Sequence, residues 1–96
     1  MTSHPKGQTK RKSSARYRDF SPYTRQEIIR RSASMCEMPG CSHRGEVFHH
    51  RLRRSQGGMG TVDNGLHLCN LHHLFVHANA AESFEQGWLL HAPPRL

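Results

Sequence analysis

Leu68-Cys69-Asn70-Leu71-His72-His73-Leu74-Phe75-Val76-His77 is the stretch that decides how this chain folds. Cys69 and His72 stand at the spacing of a zinc knuckle, in which a thiolate and an imidazole at a helix start share one ion. His73 and His77 are four residues apart and therefore share one face of a helix. Helix phase alone does not separate the two sets, because Cys69 is about as close to His73 as to His72 on a regular helix. Giving His72 to Cys69 leaves His73 and His77 as a coherent second pair, with His43 as the fallback ligand.

Upstream, Cys36-x4-Cys41 flanks a Pro39-Gly40 turn and offers the other half of a knuckle. The two pairs, separated by 27 residues, can close a tetrahedron of Cys36, Cys41, Cys69 and His72 around Zn2+. Three cysteines is an odd number, which suits a metal set completed by histidine better than a disulfide framework. It also points to a reducing compartment. Ordinary buried thiols are the plain alternative. Between the pairs lie Phe48-His49-His50-Arg51 and Asp63-Asn64-Gly65. With His73 and His77, these histidines can build a second site of different chemistry. Some imidazoles would hold a divalent cation against a phosphate while another activates water. Two metal jobs in so short a stretch point to a small nuclease.

Ninety-six residues allow one small domain. The formal charge is +7, from 14 Lys+Arg against 7 Asp+Glu. Much of the excess sits in Lys6, Lys10, Arg11, Lys12, Arg16 and Arg18, within residues 1–22, which carry no apolar periodicity and read as a disordered basic arm. Arg51, Arg53 and Arg54 form a second basic group. A polyanion partner follows, since each neutralised phosphate releases counterions. A solvated, solubilising tail is the bland account of the arm taken alone. An anionic membrane is disfavoured because the arm lacks an apolar helical face. No apolar run approaches a signal core or a membrane span, so a soluble, cytoplasmic protein is expected. For so small a fold the core supplies only about 3–5 kcal/mol. A structural zinc is worth roughly 10–16 kcal/mol, so metal rather than core should decide folding.

Local signals fill in the rest. Thr24 and Glu27 read as a capping box, with Tyr23 and Ile28 as its hydrophobic staple, opening a helix over residues 25–34 that ends on Arg30 and Arg31. Residues 46–52 have the composition of a short strand, residues 56–60 of a flexible loop, and residues 66–68 of a second extended piece. A helix is expected over residues 70–78, and a shorter one over residues 79–86 stopped by Gly87. Trp88-Leu89-Leu90 is a short apolar strand or docking segment, and Pro93 and Pro94 close the domain.

Taken together, Cys36-x4-Cys41, Phe48-His49-His50-Arg51, Gln56-Gly57-Gly58, Asp63-Asn64, Leu68-Cys69-x2-His72-His73 and His77 resemble the HNH endonucleases of the His-Me finger type. The resemblance covers about residues 23–90 and implies a small α+β fold. Its core would be a ββα-metal, treble-clef-like unit with an N-terminal helix and a structural zinc site. Domain limits follow as arm 1–22, nuclease domain 23–92 and tail 93–96. Many zinc-containing members carry cysteine where this chain has His72. By the same resemblance His50 is the general base, while His49, His73 and His77 hold a catalytic Mg2+, Mn2+ or other divalent ion. Asn64 would hydrogen-bond across the loop to hold the strand that carries the base. Arg51, Arg53 and Arg54 would contact the backbone of double-stranded DNA. Arg51 or Arg53 could also hold the scissile phosphate, although solvated strand-face arginines are an equal alternative.

Consecutive residues of a regular strand point to opposite faces, so His49 and His50 can address one phosphate only if the strand bends or twists; otherwise His49 is structural. Small free-standing proteins of this layout look like those of bacteriophages, with phage packaging proteins as conceivable partners in an infected host. A monomer or weak dimer is expected. The rival functions are a non-catalytic zinc-stabilised nucleic-acid-binding module and a zinc-stabilised protein-interaction domain.

Overall fold

The computed structural model describes residues 17–92. Helix α1 spans Pro22–Ser32, strand β1 Val47–His50, strand β2 Gly65–Leu68, helix α2 Asn70–Ala78 and helix α3 Ala80–Gln86, with a 3-10 turn at Arg54–Gln56. Among the described residues these make a small α+β unit with three named helices and a two-stranded sheet. No helix among the described residues is long and apolar enough to cross a membrane.

Helix α1 starts earlier than its expected capping box. Ser21 is the N-cap, its Oγ accepting from the Thr24 N–H at 3.1 Å, and Pro22 sits at the position where a missing N–H costs nothing. Thr24 is thereby drawn inside the helix, Tyr23 is left exposed instead of forming a staple, and Glu27 pairs with Arg30 at 2.9 Å. Arg31 reaches beyond the helix end. Its guanidinium bonds both Glu37 carboxylate oxygens at 2.7 Å and the carbonyls of Val62 and Gly65 at 3.0 and 2.7 Å. The Glu37 carboxylate raises the Arg31 pKa, against some opposition from burial. One side chain thus ties α1 to the cysteine loop and to β2.

The strands are antiparallel, with Val47 opposite Leu68, Phe48 opposite His67, His49 opposite Leu66 and His50 opposite Gly65. Phe48 stacks flat on its cross-strand partner His67 at 4.9 Å. Gly65 lets α1 approach, because a Cβ there would lie 2.6 Å from Ile28 Cδ1. The expected strand over residues 46–52 is only four residues long. Beyond His50 the backbone turns away, and the Arg51 N–H donates to the Asn64 carbonyl at 2.8 Å.

The core consists of Cys36, Met38, Leu68, Cys69, Val76 and Leu89, with Cys41, Val47, Leu66, Phe84 and Trp88 packed against it. Two of the three cysteines are therefore core residues in their own right. Helix α2 has the expected span, with Cys69 as its N-cap and Glu46 accepting from the Asn70 N–H at 2.9 Å. Helix α3 ends at Gly87, whose φ of +85° suits only glycine at low cost. Residues 88–90 dock rather than pair as a strand. The N–H groups of Trp88 and Leu89 donate to the carbonyl of buried Ser83, and that of Leu90 to Arg51. At the other end, residues 17–21 were expected in a disordered arm, but this part of it packs on the domain and buries Phe20. Residues 1–16 and the expected tail at 93–96 lie outside the described residues.

Candidate metal centres

Cys36, Cys41, Cys69 and His72 converge, each offering one donor atom within 4.8 Å of the others. The His72 Nδ1 lies 3.3 Å from the Cys69 sulfur and 3.6 Å from that of Cys36. Donors bonded to zinc at about 2.0–2.3 Å in a tetrahedron stand roughly 3.5 Å apart, so the set has the right size as well as the right chemistry. Local structure explains the convergence. The Pro39-Gly40 turn, with Gly40 at φ +80° and the Cys41 N–H donating to the Met38 carbonyl, folds Cys41 back towards Cys36. The first turn of α2 lifts His72 over Cys69.

Burial pushes the Cys36 thiol up. Burial acts the same way on Cys69, but the His72 N–H and the neighbouring thiols outweigh it and the net shift is downward. Backbone N–H groups of His72 and His43 point at the Cys69 and Cys41 sulfurs at 3.4 and 3.5 Å, an outer shell that stabilises thiolate. His43, the fallback ligand, therefore contributes its backbone and stays outside the cluster.

A second cluster joins the strand to the helix. His49, His73 and His77 also bring one donor atom each within 4.8 Å of one another. Their rings meet edge-on, with centroids 5.4 Å apart for His49 and His73, 5.3 Å for His49 and His77, and 5.0 Å for His73 and His77. His49 is buried, and its Nε2 faces the Trp88 carbonyl at 2.8 Å. A carbonyl only accepts, so Nε2 carries the proton and the Nδ1 lone pair is free for an ion. Burial drives the His49 pKa down to about 4, partly opposed by that carbonyl and assisted by the neighbouring histidines. Burial, then His77, also lowers His73. Both imidazoles are thus held neutral near pH 7, the form that binds metal.

The cluster opens into a pocket of about 380 Å³ lined by Phe48, His49, His50, Arg53, Arg54, Ser55, His73 and His77. Three convergent imidazoles with an open side could hold an ion and leave one position on it for water. His50 lies on the wall of this pocket but outside the ligand set. The two histidines diverge as strand alternation requires, yet both border this pocket, at the point where β1 ends and the chain bends. His49 turns in to the cluster, and His50 leans on the Phe20 ring at 4.2 Å with its Nε2 against the Arg18 carbonyl.

Asn64 spans the intervening loop. Its Oδ1 accepts from the Leu52 N–H at 2.8 Å, and its Nδ2 donates to the carbonyls of Leu52 and Met59 at 3.1 and 2.9 Å. The Arg51 Nε donates to the Gly87 carbonyl at 2.7 Å and its Nη1 to the Asp63 carbonyl at 2.9 Å, so it serves as an internal tie. Arg53 and Arg54 are exposed at the pocket, and Arg54 pairs with Asp19 at 2.9 Å.

Sequence reasoning missed the Trp88 and Arg18 carbonyls, Phe20 and Ser55. The carbonyls carry no signal in residue identity, and only the apolar character of Phe20 within a basic stretch hinted at docking. No protein-family model, curated protein or solved structure matches this chain.

Proposed function

We propose that this chain is a metal-dependent DNA endonuclease of the HNH type, with a ββα-metal core made of β1, β2 and α2 and a structural zinc held by Cys36, Cys41, Cys69 and His72. The observation that carries the reading is the convergence of His49, His73 and His77 at the floor of a pocket whose wall bears His50, Arg53 and Arg54. A divalent ion bound by the three imidazoles would stabilise charge developing on the phosphate and on the leaving oxygen.

The protein groups then have separate jobs. With the Arg18 carbonyl facing Nε2, His50 presents Nδ1 as its accepting nitrogen for a proton from the attacking water. Arg53 and Arg54 can donate charge-assisted hydrogen bonds to the phosphodiester. Asn64 holds the loop that follows β1 and so fixes where the strand ends. Contacts of this kind bind backbone without reading sequence, which suits double-stranded DNA as the substrate class.

Donor chemistry narrows the ion. Three imidazoles with no carboxylate match zinc, iron, nickel or copper better than oxygen-seeking Mg2+ or Mn2+. The test is incubation of zinc-loaded protein with supercoiled plasmid and Ni2+, Mn2+ or Mg2+, alongside His50→Ala. Cleavage by the wild type that drops about 10²–10⁴-fold in the variant supports the reading. DNA binding without cleavage under any divalent ion would favour a non-catalytic zinc module instead.

A further inference from the structure

We infer that residues 17–20 form a strap that completes the proposed site by holding the ring of His50 in one orientation and one tautomer, with Phe20 and the Arg18 carbonyl as positioning elements. The inference rests on the reading of His50 as the base.

The strap is built in, not merely adjacent. The Gly60 N–H donates to the Tyr17 carbonyl at 2.8 Å, Arg25 Nε donates to the Phe20 carbonyl at 3.1 Å, and Arg54 pairs with Asp19 at 2.9 Å. Phe20 is buried, with its ring tilted 30° against that of His50 and 6.2 Å from that of Phe48. Two glycines make the groove. A Cβ on Gly60 would stand 2.1 Å from the Asp19 carbonyl oxygen, and one on Gly65 would stand 2.9 Å from the Phe20 ring. Neither glycine has a positive φ, unlike Gly40, Gly57 and Gly87. Their own backbone does not demand glycine; the passage of the strap does.

The chemical consequence follows from the Arg18 carbonyl. The two neutral tautomers of a solvated imidazole lie close in energy, so a single well-placed acceptor selects between them. With Nε2–H donating to that carbonyl, Nδ1 holds the lone pair, and the Phe20 face limits rotation of the ring. Orientation of an imidazole through its second nitrogen is the same device that orients a histidine base in hydrolytic triads. Here a backbone carbonyl from ahead of α1 does it, and the device is invisible to residue identity.

The test uses the full-length, zinc-loaded protein labelled with 15N-histidine. Ring tautomers are read from two-bond proton–nitrogen correlations in wild type, Gly60→Ala and Phe20→Leu. Gly60→Ala pushes on the strap backbone without altering any proposed ligand, and Phe20→Leu keeps the groove filled while removing the ring face. The expected result is His50 as the Nε2–H tautomer in wild type and a mixture in Gly60→Ala. Single-turnover kcat on duplex falls about tenfold or more while KM moves far less, since misplacing a reacting group by about an ångström costs up to ~10²-fold. An unchanged Co2+–thiolate spectrum checks that the variants fold. A His50 tautomer identical in all three proteins overturns the strap, as does a shifted tautomer with wild-type kcat. A wild type that cuts no duplex overturns the nuclease reading, whereas the tautomer measurement still decides whether the strap holds the ring.

Discussion

The Nε2 of His49 donates to the carbonyl of Trp88 at 2.8 Å, so a segment beyond the last helix sets which nitrogen a strand residue offers to the imidazole cluster. That segment is held in turn by Arg51, whose Nε bonds the Gly87 carbonyl and whose own carbonyl accepts from the Leu90 N–H. Loss of an outer contact of this kind typically costs about 10–100-fold in metal affinity.

Arg51→Lys should therefore weaken ion binding at the His49, His73 and His77 cluster by about 10–100-fold, because a lysine cannot span both carbonyls. The salt dependence of DNA binding should stay the same. Arg53→Ala and Arg54→Ala should behave oppositely, each lowering the log–log salt slope by about one while leaving metal affinity intact. Calorimetric metal titration beside binding isotherms at several salt concentrations separates the two patterns.

Cys36→Ser should cost the fold, not activity alone. A structural zinc contributes roughly 10–16 kcal/mol, more than the core of so small a domain provides. The expected outcome is a poorly dispersed NMR spectrum for Cys36→Ser and for wild type stripped by a strong chelator. His77→Ala should remain folded, since its site sits beside the core rather than within it. A well-dispersed Cys36→Ser spectrum would count against the zinc.

Asn64→Ala removes three hydrogen bonds to Leu52 and Met59 and leaves part-buried backbone groups unpaired. A loss of about 1–3 kcal/mol is expected in urea unfolding of the zinc-loaded protein. Asn64→Asp should recover little, because it keeps the Oδ1 acceptor but loses both Nδ2 donations.

His67 gives the fold a pH dependence. Burial against Phe48 and Gly45 lowers its pKa below the usual 6.5, with its Nδ1 at 2.9 Å from the Ser32 hydroxyl. The folded imidazole is thus harder to protonate than the unfolded one. Its contribution is complete above about pH 6.5 and is lost as pH falls through the lowered folded value. His67→Gln should lose less stability than wild type between pH 7 and pH 5, as read from paired urea denaturation curves.

Much of the site was legible because its signals are local. Cys69 and His72 at a helix start, His73 and His77 one turn apart, the Pro39-Gly40 turn and the stop at Gly87 each follow from spacing and backbone preference. The errors arose where tertiary contacts override local signals. Ser21-Pro22 outcompeted Thr24 as a helix start because proline presets the first turn. Residues 17–20 read as arm because the grooves at Gly60 and Gly65 exist only once the domain is folded. The internal tie made by Arg51 went unseen because nothing in sequence brings Gly87 and Asp63 to its guanidinium.

Co2+ titration separates two metal sites of different kinds on one short chain from a single site. Two equivalents are expected: one with intense thiolate-to-cobalt absorption, and a second, weaker one without it. His73→Ala with His77→Ala should abolish the second equivalent and duplex cleavage together while leaving the first intact. A single equivalent in wild type would leave the chain with one metal site, and full cleavage by the double variant would remove the imidazole cluster from the chemistry.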